Sequence, residues 1–180
     1  MHRFRALVFV GFLQITTSHA QVPPEPVVAT STTISSRIEL VDIGGRKLQL
    51  KTVGSGSPTV VIEAGMGEPP IESGTWKKVI KAISAGNRVV LYDRAGLGKS
   101  DPATKLPRTS RDVATDLHAL LMKAGLSGPF VLVGHSYGGI HVRMFAHLYP
   151  NEVAAIVLVD SSHPEQMEHM KTLLGPPRSD

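Results

Sequence analysis

The stretch FVLVGHSYGGIHVRMFAHL at residues 130–148 decides the fold of this chain. Residues 130–133 read as a buried strand, and Ile140, Met144, Phe145 and Leu148 recur at the spacing of one helical face. A strand therefore runs into a helix, with a short bend between them that carries Ser136. Gly134, Ser136 and Gly138, with Gly139 directly after, form G-x-S-x-G, the pattern of a nucleophile elbow. Such a bend exposes the serine hydroxyl and turns the next backbone N–H, that of Tyr137, toward a reacting carbonyl. A side chain at the glycine positions would crowd the turn. Five-residue patterns of this kind arise by chance, and the strand before and helix after supply the context the motif requires.

The 180 residues suffice for one domain with a sizeable core, and 42% hydrophobic and 19% charged residues are globular values. The formal charge is +4. Without Arg3 and Arg5 the 19 basic residues become 17 against 15 acidic ones, and no basic cluster interleaved with aromatics argues for nucleic acid. Arg3 and Arg5, the apolar run at 6–13 and the ending Ser18-His19-Ala20 together predict a secretory signal peptide over 1–20, cleaved after Ala20. The run is too short to span a bilayer, so the mature protein is expected in the periplasm or outside the cell, without stable membrane insertion. There is no cysteine, which excludes a disulfide framework.

Residues 21–35, rich in Pro, Ser and Thr, predict an extended leader, and a core is expected over 36–160. Segments 37–43 and 46–53 around Gly44-Gly45 predict an antiparallel hairpin. Further strands are predicted at 59–63, 88–92, 130–133 and 153–159. A helix over 75–85 would place Trp76, Val79, Ile80 and Ile83 on one face. A second helix, opened by Thr109 with Asp112 as a capping box, would turn Val113, Leu117, Leu120, Leu121 and Ala124 inward and end near Gly125. Strands alternating with helices imply a mostly parallel sheet covered on both faces, with sites at the carboxyl ends of its strands. The loops after Glu63, Tyr92, Val133 and Val159 all fall there.

Four of these segments, EAGMG at 63–67, YDRAGLGKSD at 92–101, GHSYGG at 134–139 and LVDSSHPEQ at 158–166, resemble the α/β-hydrolase superfamily, in the family's order and over residues 37–166. The resemblance implies an α/β fold with an antiparallel amino-terminal hairpin, incomplete at the carboxyl end, and a serine hydrolase acting on acyl esters or amides. It implies Ser136 as nucleophile and the backbone N–H groups of Tyr137 and Met66 as oxyanion donors. No metal or organic cofactor is implied, and the expected partner is a small acyl substrate.

Asp93 and Arg94 read as scaffolding held by local hydrogen bonds or an ion pair. Gly98-Lys99-Ser100 copies the end of a phosphate-binding loop, but position 93 is aspartate where that loop needs glycine, and Asp101-Pro102 interrupts the helix that should follow. His135 is expected to be packed or hydrogen-bonded beneath the elbow. His141 and His147, six residues apart, do not share a helical face for a metal.

In the family the acid and histidine follow the nucleophile, yet only 44 residues follow Ser136. Asp160 and His163 are the available acid and base, and three residues of separation rarely let both reach a third group. The other expectation is that 161–180 begins a lid or tail and that the triad is unfinished, leaving a non-catalytic fragment or binding protein as the alternative. Epoxide or haloalkane opening on the same fold uses an aspartate at the elbow, and Ser136 argues against it. Residues 153–159, apolar on both faces, would then form an unpaired edge.

Overall fold

A computed structural model of the chain describes residues 34–166 together with 169 and 172. The signal-peptide and leader expectations for 1–33, and most of the tail, lie outside the described residues.

The first two strands, β1 (Ser36–Asp42) and β2 (Lys47–Val53), pair antiparallel with Asp42 opposite Lys47. Gly44 and Gly45 make the turn at φ +111° and +91°, a region that L side chains avoid, and Asp42 Oδ1 accepts hydrogen bonds from both of their N–H groups. Four more strands follow: β3 (Thr59–Glu63), β4 (Val89–Tyr92), β5 (Phe130–His135) and β6 (Val153–Val159). The sheet order is β1-β2-β4-β3-β5-β6. β3 lies parallel to β4 and β5, and β5 parallel to β6, while β4 runs antiparallel to β2.

Helices α1 (Pro70–Ser73) and α2 (Lys77–Ile83) lie between β3 and β4, α3 (Ser110–Lys123) between β4 and β5, and α4 (Gly138–Leu148) after β5. Every residue of β3 and β4 is buried. Alternate side chains of these strands enter two different cores. Val61 and Val90 pack with Leu117, Leu120, Leu121, Val142 and Phe145 of α3 and α4. Val60, Ile62, Val89 and Leu91 pack with Trp76, Ile80 and Ile83 on the opposite face.

α3 starts as expected. Thr109 Oγ1 accepts from the Asp112 N–H at 3.2 Å, and Asp112 Oδ2 accepts from the Thr109 N–H at 2.7 Å. The expected inward face of α2 needs one correction, since Val79 is 41% exposed. The helix has only seven residues, and Trp76, Ile80 and Ile83 already cover the strands beneath it. Among the described residues no helix is long and apolar enough to cross a membrane.

Among the described residues β6 stands at the edge of the sheet. Ile156, Val157, Leu158 and Val159 are 38–46% exposed. A long apolar edge is a template for pairing with another chain. The 180-residue chain on its own is therefore expected to self-associate, and Val157→Lys to reduce that association, as read by size exclusion with light scattering. A monodisperse, cooperatively melting wild-type monomer would contradict this.

Candidate active site

β5 delivers Ser136 to the bend at φ +50°; among the described residues only Asp160, at +43°, is another non-glycine with positive φ. That conformation costs on the order of 1–3 kcal/mol and persists only where neighbours hold it. Here the Ser136 N–H donates to Val159 O at 3.1 Å, and Ser136 O accepts from the N–H groups of Gly139 and Ser162, both at 3.0 Å. The end of β6 is thus tied to the elbow on both sides of the serine. The flanking glycines are required by contact: a Cβ on Gly134 would stand 2.6 Å from Gly139 Cα, and one on Gly138 2.3 Å from Glu63 O. At Gly139 a Cβ would meet Ser161 Oγ at 1.9 Å.

The loop after β3 completes the rim. A Cβ on Gly65 would lie 3.5 Å from Ser136 Cβ, so Ala64-Gly65-Met66 runs directly beside the serine. Its anchor is Glu63, a fully buried carboxylate at the end of an apolar strand. Arg94 Nη1 donates to Glu63 Oε1 at 2.7 Å and Tyr92 Oη donates to the other carboxylate oxygen. Arg94 also holds the loop itself, through Nη1 to Ala64 O at 2.7 Å and Nη2 to Gly65 O. In a planar trans peptide the carbonyl and the next N–H point in opposite directions. A Gly65 carbonyl fastened to Arg94 therefore turns the Met66 N–H to the side away from Arg94. The N–H groups of Met66 and Tyr137 are both unused in the backbone hydrogen bonds of the described residues. Both residues border one cavity of about 230 Å³.

Burial pushes the Glu63 carboxyl up, against the opposing pull of Arg94 and of the Tyr92 hydrogen bond. Burial and then Glu63 push the Tyr92 phenol well above its ordinary value, which keeps it a donor. The ion pair expected at Asp93-Arg94 exists, but its acid is Glu63 rather than the neighbouring Asp93. Asp93 instead accepts from the Ile71 N–H at 3.4 Å. Ser100, which ends the phosphate-loop lookalike, is buried, donating to Asp93 O at 2.6 Å and accepting from the Gln49 N–H at 2.8 Å.

The histidines separate clearly. His135 packs edge-on against Trp76 at 6.0 Å between ring centroids, and its Nδ1 is buried without a partner, so it is packed rather than hydrogen-bonded. His147 is exposed, whereas His141 is 3% exposed and lies 4.7 Å from the Tyr137 ring. Among the described residues no group of three or more His, Asp or Glu is placed to hold a metal ion. Asp160 is exposed, and His163 Nδ1 accepts from the Glu165 N–H at 3.2 Å. No hydrogen bond joins Ser136, Asp160 and His163.

His141 lines the same cavity as Met66 and Tyr137. Burial first, then the positive charges of Arg94 and Arg108, lower its pKa from the ordinary 6.5 to about 4. Folding thus favours the neutral ring. The stability this gives is complete above pH 6.5 and is lost as pH falls from there toward 4, on the order of 3 kcal/mol in all. His141→Gln is expected to make the loss of urea stability between pH 7.5 and 4.5 smaller by roughly 2 kcal/mol. An unchanged pH dependence would contradict this.

Arg94, a scaffolding residue by its sequence, shapes the rim through the loop after β3. Arg94, Arg108 and His141 were not singled out for the site, and the available signal was Glu63, a carboxylate ending an otherwise β-branched strand that had to find a partner.

With this geometry in view, comparison with known proteins is direct. A profile of the alpha/beta hydrolase fold matches residues 58–176. The chain is 35% identical over 137 residues to a "Probable transporter efuK" of Hormonema carpetanum, covering 72% of this chain and 19% of that protein. Among solved structures it is similar to Cfl2 of Burkholderia cenocepacia, at TM-score 0.63 and 28% identity, over 72% of this chain and 42% of the other. It is also similar to the epoxide hydrolase VrEH1 of Vigna radiata, at TM-score 0.63 and 25% identity, over 79% and 46%. The chain spans less than half the length of each of these relatives. The matched profile, the mixed sheet with its flanking helices and the hydrolase neighbours agree, and the chain belongs to the alpha/beta hydrolase fold family.

Proposed function

We propose that Ser136 is the nucleophile of an exported hydrolase that cleaves a small carboxylic ester or amide. The observation that carries this reading is Ser136 itself, held at φ +50° between β5 and α4 beside a loop whose Met66 N–H, like that of Tyr137, is unused in the backbone hydrogen bonds of the described residues. The hydroxyl oxygen adds to the substrate carbonyl carbon while a base takes its proton. The carbonyl oxygen becomes an oxyanion, to which Tyr137 and Met66 donate. Each such donor is worth roughly 3 kcal/mol in the transition state. Collapse expels the alcohol or amine, and water then releases the acid from the serine.

No described residue is hydrogen-bonded to the Ser136 side chain. In this reading the base and its acid come from outside residues 34–166, and the signal-like segment 1–20 directs export. The likeness to an epoxide hydrolase supports the fold and not an aspartate nucleophile, because position 136 is serine. That no described residue is hydrogen-bonded to Ser136 as a base also favours a second reading, a binding protein that uses the cavity without chemistry.

One experiment separates the two. A fluorophosphonate probe is expected to label Ser136, mapped by digestion and mass spectrometry, with a rate that rises with added imidazole as a substitute base. Labelling should vanish in Ser136→Ala. A folded chain that stays unlabelled in imidazole, or is labelled elsewhere, overturns the nucleophile and leaves the binding reading.

A further inference from the structure

We propose that the cavity beside Met66 and Tyr137 is an anion-binding subsite that takes the terminal carboxylate of a short acyl substrate. This rests on the hydrolase reading for its purpose, though not for its test.

The cavity's walls have two characters. Leu97, Val113 and Ala95 supply apolar surface, while Arg94, Arg108 and His141 also line it. A volume of about 230 Å³ is ample for a short acyl chain with a polar end.

Within the lining the cations outnumber the acids, and Asp112, outside it, also acts on Arg108. Asp116 is the one acid in the lining, and its carboxylate is divided between two guanidinium groups, Oδ2 to Arg108 and Oδ1 to Arg46. Arg46 Nη1 nevertheless remains buried without an acceptor. Arg94 is matched by Glu63 on the far side of the oxyanion loop. Arg108, only 16% exposed in its side chain, makes a single hydrogen bond, through Nη2 to Asp116. Its other nitrogen atoms have no protein acceptor and are not fully buried, so they are open to an anionic acceptor.

His141 gives independent support. It is 3% exposed, lines the cavity and has an Nδ1 atom with no hydrogen-bond partner. The groups that share its surroundings are Arg94 and Arg108, with Tyr92, Tyr137 and Asp116 also in the lining. Burial first, and then the two arginines, disfavour a proton on its ring. An oxyanion seated against Arg108 would offset that positive charge near the ring.

The same histidine reports occupancy. Deuterium exchange at the His141 ring carbon between its two nitrogens, followed by mass spectrometry across pH, reads its pKa on dilute protein. Succinate and glutarate are expected to raise that pKa by about one unit in a saturable way. Succinamide, of similar shape but neutral, and chloride at equal ionic strength should not. Arg108→Met should abolish the shift, whereas Arg111→Met, which removes the same charge from the exposed surface of α3, should preserve it. No shift with either dicarboxylate, an equal shift with chloride, or a shift that survives Arg108→Met would overturn the subsite. Free dicarboxylates have no scissile bond, so this outcome is independent of whether Ser136 is a nucleophile.

Discussion

Arg94 bound to Glu63 is the interaction on which the rim of this sheet depends. Glu63 has no exposed surface and would be strongly destabilising if it were ionised alone, so its strand can end in a carboxylate only where a cation meets it. The cation comes from the loop after the adjacent strand, and the same guanidinium takes two carbonyls of the loop that follows Glu63. Breaking a buried pair of this kind by removing one partner commonly costs 3–5 kcal/mol. Here it would also release Ala64-Gly65-Met66 from its orientation against Ser136.

From that anchor the other constraints follow in order. Gly138 must be glycine because Glu63 O lies where a side chain would be, and Gly139 because Ser161 lies there. The left-handed serine is held by Val159 and Ser162, so the elbow is braced by β6 on one side while the Glu63 loop packs on the other. The strand that braces Ser136 is also the exposed edge of the sheet among the described residues. Disturbance of β6 should therefore reach Ser136 directly.

The strands were legible because β-branched runs such as Val60 to Ile62, bounded by glycine and proline, have few other places to go than a buried parallel sheet. The elbow was legible because its glycines and its flanking periodicities agree. Val79 was misassigned because helical periodicity marks a face without saying how much of it a seven-residue helix must cover. The partner of Arg94 lies 31 residues away on another strand end, and only strand order brings the two together. Arg108 and His141 meet because the start of α3 and the first turn of α4 converge on one cavity, a relation that local spacing does not encode.

The most direct test of the clamp is the imidazole-assisted rate of phosphonylation at Ser136 in Arg94→Lys. Lysine keeps a positive charge for Glu63 but lacks the planar fork that reaches two carbonyls as well. With a cooperative melting transition retained, the rate is expected to fall roughly 10²-fold, the size of effect seen when one oxyanion donor is lost. A folded Arg94→Lys protein that reacts as fast as wild type would show that the guanidinium does not orient the loop beside the serine.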